Sequence, residues 1–469
     1  MNLRSSVFSL AAASFAGWGL GGCASAPPSS LPSVQDQVSA RSGLAVSWPK
    51  SPAERSERDT AVRSLLAREL TPDTAVQIAL LNSPELQATF EELGISEADL
   101  FASGQLHNPT FFASTRWSDS RPRGPDAEFS LTADLLDDFL IPVRQRVARS
   151  QVAAAENRVA RAAIDLAAQV KIAAYTLAGR QMFRGRLEST LDANQAASDL
   201  AQRQFDAGNI SRLDLARNQA AAQEARLQLM RADAQIQLGR ETLTRLLGLG
   251  SEQAQWKLAA ELSAPPEAAE QTPSDLESRA LAQRLDFSAA QADLAAAQSS
   301  FELRRKTRLS PAGVNVGVDT ERNPDGSRVT GPQVSLGLPI FDQGQADLAR
   351  LGAEVRRLQD RALGLKSAIT SEVRAARAAL LAARSVTDYY NLTILPQRQL
   401  ILKETLLNYN AMQKSSYELL LAKEEQLMAE REGIEALRDY WIARVELERA
   451  VGGRIGLLAS SGPGAQPAR

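Results

Sequence analysis

One cysteine, one histidine and an aromatic content of 5% are what these 469 residues have least of. A lone thiol excludes disulfides, cysteine-ligated zinc and paired-thiol chemistry. His107 has no second His or Cys to join it as a metal ligand, so it reads as an interfacial polar residue. The five Met are scattered, with no pair at ligand spacing. No Gly-rich phosphate loop, nucleophile elbow or paired-His motif is present. The sequence therefore implies no enzyme, no cofactor and no bound metal. A formal charge of -2 gives no electrostatic reason to expect nucleic acid as a partner. With so little aromatic bulk, the chain is poorly equipped for a thick globular core. Long stretches of Ala, Leu, Gln and Arg without Gly or Pro suit slender helices packed closely.

The first segment reads as a signal peptide over residues 1–22. Arg4 supplies positive charge, and Val7 to Leu20 form an apolar run too short to span a bilayer. The run ends in Leu20-Gly21-Gly22-Cys23, followed by Ala24. Small residues before a lone cysteine resemble the lipobox of bacterial lipoproteins. That resemblance implies acylation of Cys23, and Ala24 after it implies the outer membrane. Residues 23–72, with Pro, Ser and charge at their start, read as a lipid anchor and an extended tether.

The remainder is written twice. Ala79–Leu93 matches the stretch ending at Leu294 at an offset of 201. Gln169-Val170-Lys171 falls on Glu372-Val373-Arg374 at 203, and Phe205–Gly208 on Tyr409–Met412 at 204. Leu247-Gly248 falls on Val451-Gly452, also at 204. Each order-preserving match is weak, and together they indicate a duplication. The first repeat spans 73–250 and the second 274–456, with a linker at 251–273 and a disordered tail at 457–469. Each copy carries a moderate helix, a β segment, a very long helix, a tight turn and another long helix. The long helices are predicted at about 142–206, 209–249, 343–410 and 413–452. The longest make rods of about 100 Å. Leu420, Leu427, Ile434 and Trp441 recur every seven residues, and Leu227, Met230, Ala234 and Leu238 step by three and four, as in coiled coils.

Between the helices lie two strand pairs. Phe111, Ala113, Thr115 and Trp117 alternate with polar residues, and Phe129, Leu131, Ala133 and Leu135 do so on the return. Val314, Val316 and Val318, then Val334, Leu336 and Leu338, repeat the pattern. Strands of this kind, apolar on one face and polar on the other, suit a transmembrane barrel with Phe111, Trp117 and Phe129 near its rims. Four strands cannot close a barrel, and open edges cannot face lipid. The strands must be shared between copies. The fold class is thus mainly α with a small β part: duplicated long helical hairpins plus four transmembrane strands per protomer.

Asn82-Ser83-Pro84-Glu85-Leu86, the Leu338–Gly344 exit from the last strand, and Phe205-x-x-Gly208 followed by Ser211–Leu215 resemble the TolC-like outer-membrane efflux factors over nearly the whole mature chain. The resemblance implies a homotrimer with a shared twelve-stranded barrel and a helical α-barrel tunnel through the periplasm. It also implies a periplasmic adaptor (membrane fusion) protein and an inner-membrane pump as partners. Trp256 and the linker would belong to a band around the tunnel's middle. Asp214 and Glu418, each nine residues beyond the equivalent Phe205 and Tyr409, would form a carboxylate gate at the periplasmic tip. The family's second gate acid is here Leu421. The plain alternative is that both are helix-surface acids. The turns with Phe205, Gly208, Ser211, Tyr409, Met412 and Ser415 would dock the adaptor. Met412 stands where that family often has Gly, so the second turn is predicted to be less tight. The competing reading of the whole chain is a lipoprotein coiled-coil scaffold or adaptor without a membrane barrel, which would have no need of alternating strands.

Overall fold

A computed structural model describes residues 29–455, apart from 118–124, 135–137, 251–252, 254, 260, 267–274 and 309–313. Cys23, the signal segment, Leu135 and the C-terminal tail lie outside the described residues. The backbone of the molecule is α5 (Ile141–Asp206), 66 residues long, about 100 Å at 1.5 Å per residue. It folds back through a tight turn into α6 (Arg212–Leu246). The second hairpin is α9 (Gln345–Tyr389), a π turn (Tyr390–Ile394) and α10 (Leu395–Asn410), returning as α11 (Ser416–Val451). Helix α11 packs along α5, joining the hairpins side by side. The predicted helix positions hold to within a few residues. Alanine dominates the buried face of α5, from Ala148 through Ala155, Ala160 and Ala174 to Ala201, and small side chains let neighbouring helices approach closely.

Each hairpin is preceded by a broken helix. In the first repeat α3 (Pro72–Asn82) meets α4 (Pro84–Ser103) at Ser83; in the second α7 (Leu276–Gln283) meets α8 (Leu285–Lys306) at Arg284. The backbone at the two breaks is nearly identical, with φ/ψ of -63/119 at Ser83 and -69/123 at Arg284. The Asn82 side chain donates to the carbonyls of Leu247 and Gly248 at 3.1 and 2.7 Å, tying the end of α6 to the break. Gly248 sits there with φ +68, and a Cβ on it would lie 2.5 Å from the Asn82 carbonyl oxygen. Gly452 closes α11 in the same left-handed conformation. The duplication is therefore structural as well as sequential.

Residues 29–72 are not the extended tether predicted for them. They form α1 (Leu31–Ser42) and α2 (Pro52–Leu66). Val34, Val38, Val46, Trp48 and Val62 are buried in the main core, and Trp48 stacks on Phe90 at 5.7 Å. The segment is rich in Ser and charge, but its few apolar residues recur at helical spacing and find a surface on α4 and α5. Beyond α6, residues 255–259 and 261–266 cross the helices as a strap. Trp256 is buried, Leu258 bridges to Leu70, and the Trp441 indole donates to the Ser263 carbonyl at 2.9 Å.

At one end of the helices lies a four-stranded antiparallel sheet in the order β1 (Thr110–Trp117), β2 (Pro125–Asp134), β3 (Val314–Arg322), β4 (Arg328–Leu336). The two hairpins join through β2 and β3, where Leu131 pairs with Val318. Phe111, Trp117, Leu131, Val318, Val334 and Leu336 share one face, and all are exposed. Phe129 is on that face too, but mid-strand opposite Ala113 and Thr320 rather than near a rim. The other face carries Arg116, which pairs with Glu128 at 3.1 Å and Asp126 at 3.8 Å. No helix among the described residues is long and apolar enough to cross a membrane.

Candidate functional site: the helix-turn tips

The two turns lie at the end of the hairpins away from the sheet. In the first, Gly208 adopts φ +75, and Asn209 N–H closes on the Gln204 carbonyl at 2.8 Å. In the second, Met412 adopts φ +58, and Gln413 N–H closes on the Asn408 carbonyl at 2.9 Å. The predicted looser turn is thus not found: both close with the same hydrogen bonds. A residue with a Cβ in this conformation costs about 1–2 kcal/mol, and the closed turn holds Met412 there. Its side chain is 94% exposed, so no packing offsets that cost within the chain.

Both turns open their return helix with a serine cap. Ser211 Oγ accepts from Asp214 N–H at 3.1 Å and donates to the Asp214 carboxylate at 2.6 Å. Ser415 and Glu418 form a full capping box, with Ser415 N–H donating to Glu418 Oε2 at 2.9 Å and Ser415 Oγ accepting from Glu418 N–H at 3.3 Å. An acid at the third position of a helix satisfies otherwise unpaired N–H groups and faces the positive end of the helix dipole. Lys414 Nζ lies 2.6 Å from Glu418 Oε1. That ammonium, followed by the Ser415 backbone N–H, holds the Glu418 carboxyl below its usual value. Arg217 lies 3.8 Å from Asp214. Each predicted gate acid is therefore a capping acid beside its own base, engaged within its own turn. Asp214 and Glu418 hold equivalent places, as the duplication requires.

Two further residues join the tips: the Arg217 guanidinium lies over the Tyr417 ring at 5.2 Å. Neither stood out in the sequence, because an Arg and a Tyr on helix surfaces are common; their meeting depends on the tertiary alignment of α6 with α11. Phe205 and Tyr409 supply the carbonyls that accept from Gly208 and Met412, both N–H groups one turn away. Among the described residues no group of three or more His, Cys, Asp or Glu could hold a metal ion.

The outer membrane efflux protein family model matches residues 75–249, the whole first repeat from the broken helix to its terminal glycine region. The match covers the first of the two repeats. It is similar to the cobalt-zinc-cadmium resistance protein CzcC of Cupriavidus metallidurans, with 25% identity over 87% of this chain and 98% of that protein. Its fold is that of a membrane protein from Pseudomonas aeruginosa, with a TM-score of 0.70, 21% identity, and coverage of 83% of this chain and 92% of that one. The Campylobacter jejuni CmeC outer membrane channel is similar too, with a TM-score of 0.69, 16% identity, and coverage of 89% and 91%. These likenesses show the fold: a long helical body with a small antiparallel sheet at one end.

Proposed function

We propose that this chain is an outer membrane efflux protein, the channel of a tripartite efflux system: a passive homotrimeric duct fed by a periplasmic adaptor and an inner-membrane pump. The observation that carries the reading is the sheet: one apolar exposed face, one polar face, and two open edges at β1 and β4. Lipid can cover the apolar face, but only another strand can cover an edge. Three copies of four strands close a twelve-stranded barrel. The helices carry the matching signal. Leu227, Met230 and Leu238, the stripe predicted to pair within a coiled coil, remain exposed on α6, as do Leu392, Leu400 and Leu407 on the π turn and α10. These are outer helices of the protomer, so a neighbouring copy covers both stripes as it pairs both sheet edges.

In this reading the tips are the periplasmic entrance and the adaptor dock, lying about 100 Å from the barrel. Asp214 and Glu418 supply up to six carboxylates per trimer, moderated by Lys414 and Arg217, and so favour cations. Cys23 is acylated and adds a lipid anchor. The cargo class we propose is divalent metal cations, from the likeness to a cobalt-zinc-cadmium resistance protein. The test is to fractionate cells expressing the full-length chain and measure the mass of the detergent-solubilised complex. A trimer in the outer-membrane fraction is expected; a monomer in the soluble periplasm would overturn the reading in favour of a scaffold. Labelled palmitate entering the wild type but not Cys23→Ser would establish the anchor.

A further inference from the structure

The apolar face of the sheet is graded along its length. On β3 and β4 the rungs of that face are apolar from Val314 as far as Val318 opposite Pro332. Thr320 opposite Thr330 comes next, with the two hydroxyls 3.2 Å apart. The last rung before the turn is Arg322 opposite Arg328, both exposed. The strands join the helices at the other end, so this rung points away from the helical body. From Val314 to Arg322 the ladder climbs roughly 20 Å, at about 3.4 Å per residue along strands tilted by about 40°. The arginines therefore stand at the outer limit of the apolar band.

Two like charges directly opposite one another weaken a strand pair, and a lipid-facing guanidinium is tolerated where it reaches a headgroup. Within the described strands no carboxylate relieves this pair. Asp126, Glu128, Asp134, Asp319 and Glu321 all lie in register with the opposite, polar face. Asp325 is close in sequence, but its carboxylate accepts from the Ser327 backbone N–H at 2.9 Å and from the Ser327 hydroxyl at 2.6 Å. With Asn323 N–H closing on the Ser327 carbonyl at 2.9 Å, the turn fastens the strand ends and holds the two arginines opposite each other. The third base of the described strands, Arg116, belongs to the polar face and has its own carboxylate partners.

We infer that Arg322 and Arg328 form a binding site for a phosphorylated glycolipid of the outer leaflet. Guanidinium forks match phosphate oxygens in pairs. Two of them balance a phosphate monoester, which carries close to two negative charges at neutral pH, better than the single charge of a phosphodiester. The outer leaflet of a Gram-negative outer membrane presents that monoester on its glycolipid. The rung at the helix end of the same ladder, Val314 opposite Leu336, is apolar, so the site distinguishes the outer rim from the inner one.

The inference rests on the channel reading, which puts the 323–327 turn at the outer surface. The test titrates the full-length complex, in micelles of uncharged detergent, with bis-phosphorylated lipid A, and counts bound lipid by native mass spectrometry. Saturable binding is expected. Arg322→Gln and Arg328→Gln should each weaken it about ten-fold and the double variant about a hundred-fold. Arg116→Gln should leave it unchanged. Replacing both Arg322 and Arg328 by Lys keeps the charge without the fork, and should bind between the wild type and the double glutamine variant. Phosphatidylcholine should not distinguish the wild type from that double variant, and excess inorganic phosphate should not displace the lipid A. Equal binding by the wild type and both double variants, the same loss in Arg116→Gln, or full displacement by inorganic phosphate would overturn the site. Any of these in a trimer recovered from outer membranes leaves the channel standing; a wild type outside the membrane defeats the channel reading instead.

Discussion

The two repeats share a plan but hold it together by different chemistry. At the first helix break a serine caps α4 and an asparagine amide grips the end of α6. At the second, Arg284 replaces the serine. Its guanidinium, nearly buried, pairs with Asp286 at 2.8 Å and with Glu372, and Arg449 reaches Glu372 at 2.7 Å. Burial works against the Arg284 charge, yet the two carboxylates raise its pKa above the ordinary value. Burial likewise disfavours the Asp286 and Glu372 carboxylates, but Arg284, with Arg161 or Arg449, holds both below their usual range. At its break the first repeat is fastened chiefly by neutral hydrogen bonds and apolar packing, with the Lys171–Asp73 pair to one side, and the second by a more deeply placed ion network. A duplicated fold thus conserves backbone geometry while the means of fixing it diverges.

The largest effect follows from breaking that network. Arg284→Ala strands two partly buried carboxylates and should cost about 3 kcal/mol, read as a fall in the denaturant midpoint of the oligomer. Ser83→Ala, at the matching break, should cost about 1 kcal/mol. Equal losses would mean the breaks are not fastened differently.

The ion network also sets a pH dependence. Because Asp286 and Glu372 have lowered folded pKa values, their contribution is present above the unfolded carboxylate range. It is lost as pH falls through the folded values, below about pH 4. Stability measured from pH 6 to 3 should fall steeply in the wild type and less steeply in Arg284→Ala. Glu448 has the opposite sign: burial pushes its carboxyl up, so its ionisation disfavours the fold. Glu448→Gln should therefore stabilise the complex at neutral pH, with the gain fading as pH falls below the unfolded value.

The terminal glycines sharpen the comparison further. Gly248→Ala places a Cβ against backbone at 2.5 Å, whereas at Gly452 the nearest atoms lie at 3.3 Å. Both variants bear the left-handed penalty, but Gly248→Ala should cost about 2 kcal/mol or more and Gly452→Ala about 1 kcal/mol. At the tips, Met412→Gly should stabilise the second turn by about 1 kcal/mol and Gly208→Ala destabilise the first by a similar amount, as read by local hydrogen exchange. The smallest expected change is functional: Asp214→Ala with Glu418→Ala should leave the oligomer intact and lower cation selectivity in planar bilayers. Unchanged selectivity would make them capping acids alone.

Much of this was legible beforehand. Helix lengths follow from uninterrupted runs such as 143–206, and strand faces from period-two alternation in 110–117 and 314–319. The serine caps lie at the predicted turns. What the sequence hid depends on tertiary contact or on counting single residues. Residues 29–66 fold because α4 and α5 offer an apolar surface, which composition does not reveal. The strain at Met412 is invisible until the turn is seen to close on it. The π turn was present as a change of offset from 203 to 204, but a one-residue shift has no helical signature of its own. Spacing alone placed Asp214 and Glu418 at equivalent points beyond the turns, but their capping bonds to Ser211 and Ser415 emerge only from the folded turns.

In the proposed channel the apolar face of the sheet meets lipid in an oligomeric barrel. Trp117 stands on that face, 76% exposed, whereas Trp48 and Trp256 are buried. Tryptophan fluorescence of the complex in bilayers of brominated phospholipid tests the claim most directly. A quenched component that disappears in Trp117→Phe is expected. Fluorescence equally insensitive to bromine in both proteins would contradict it, because the face would then be covered by protein or open to water.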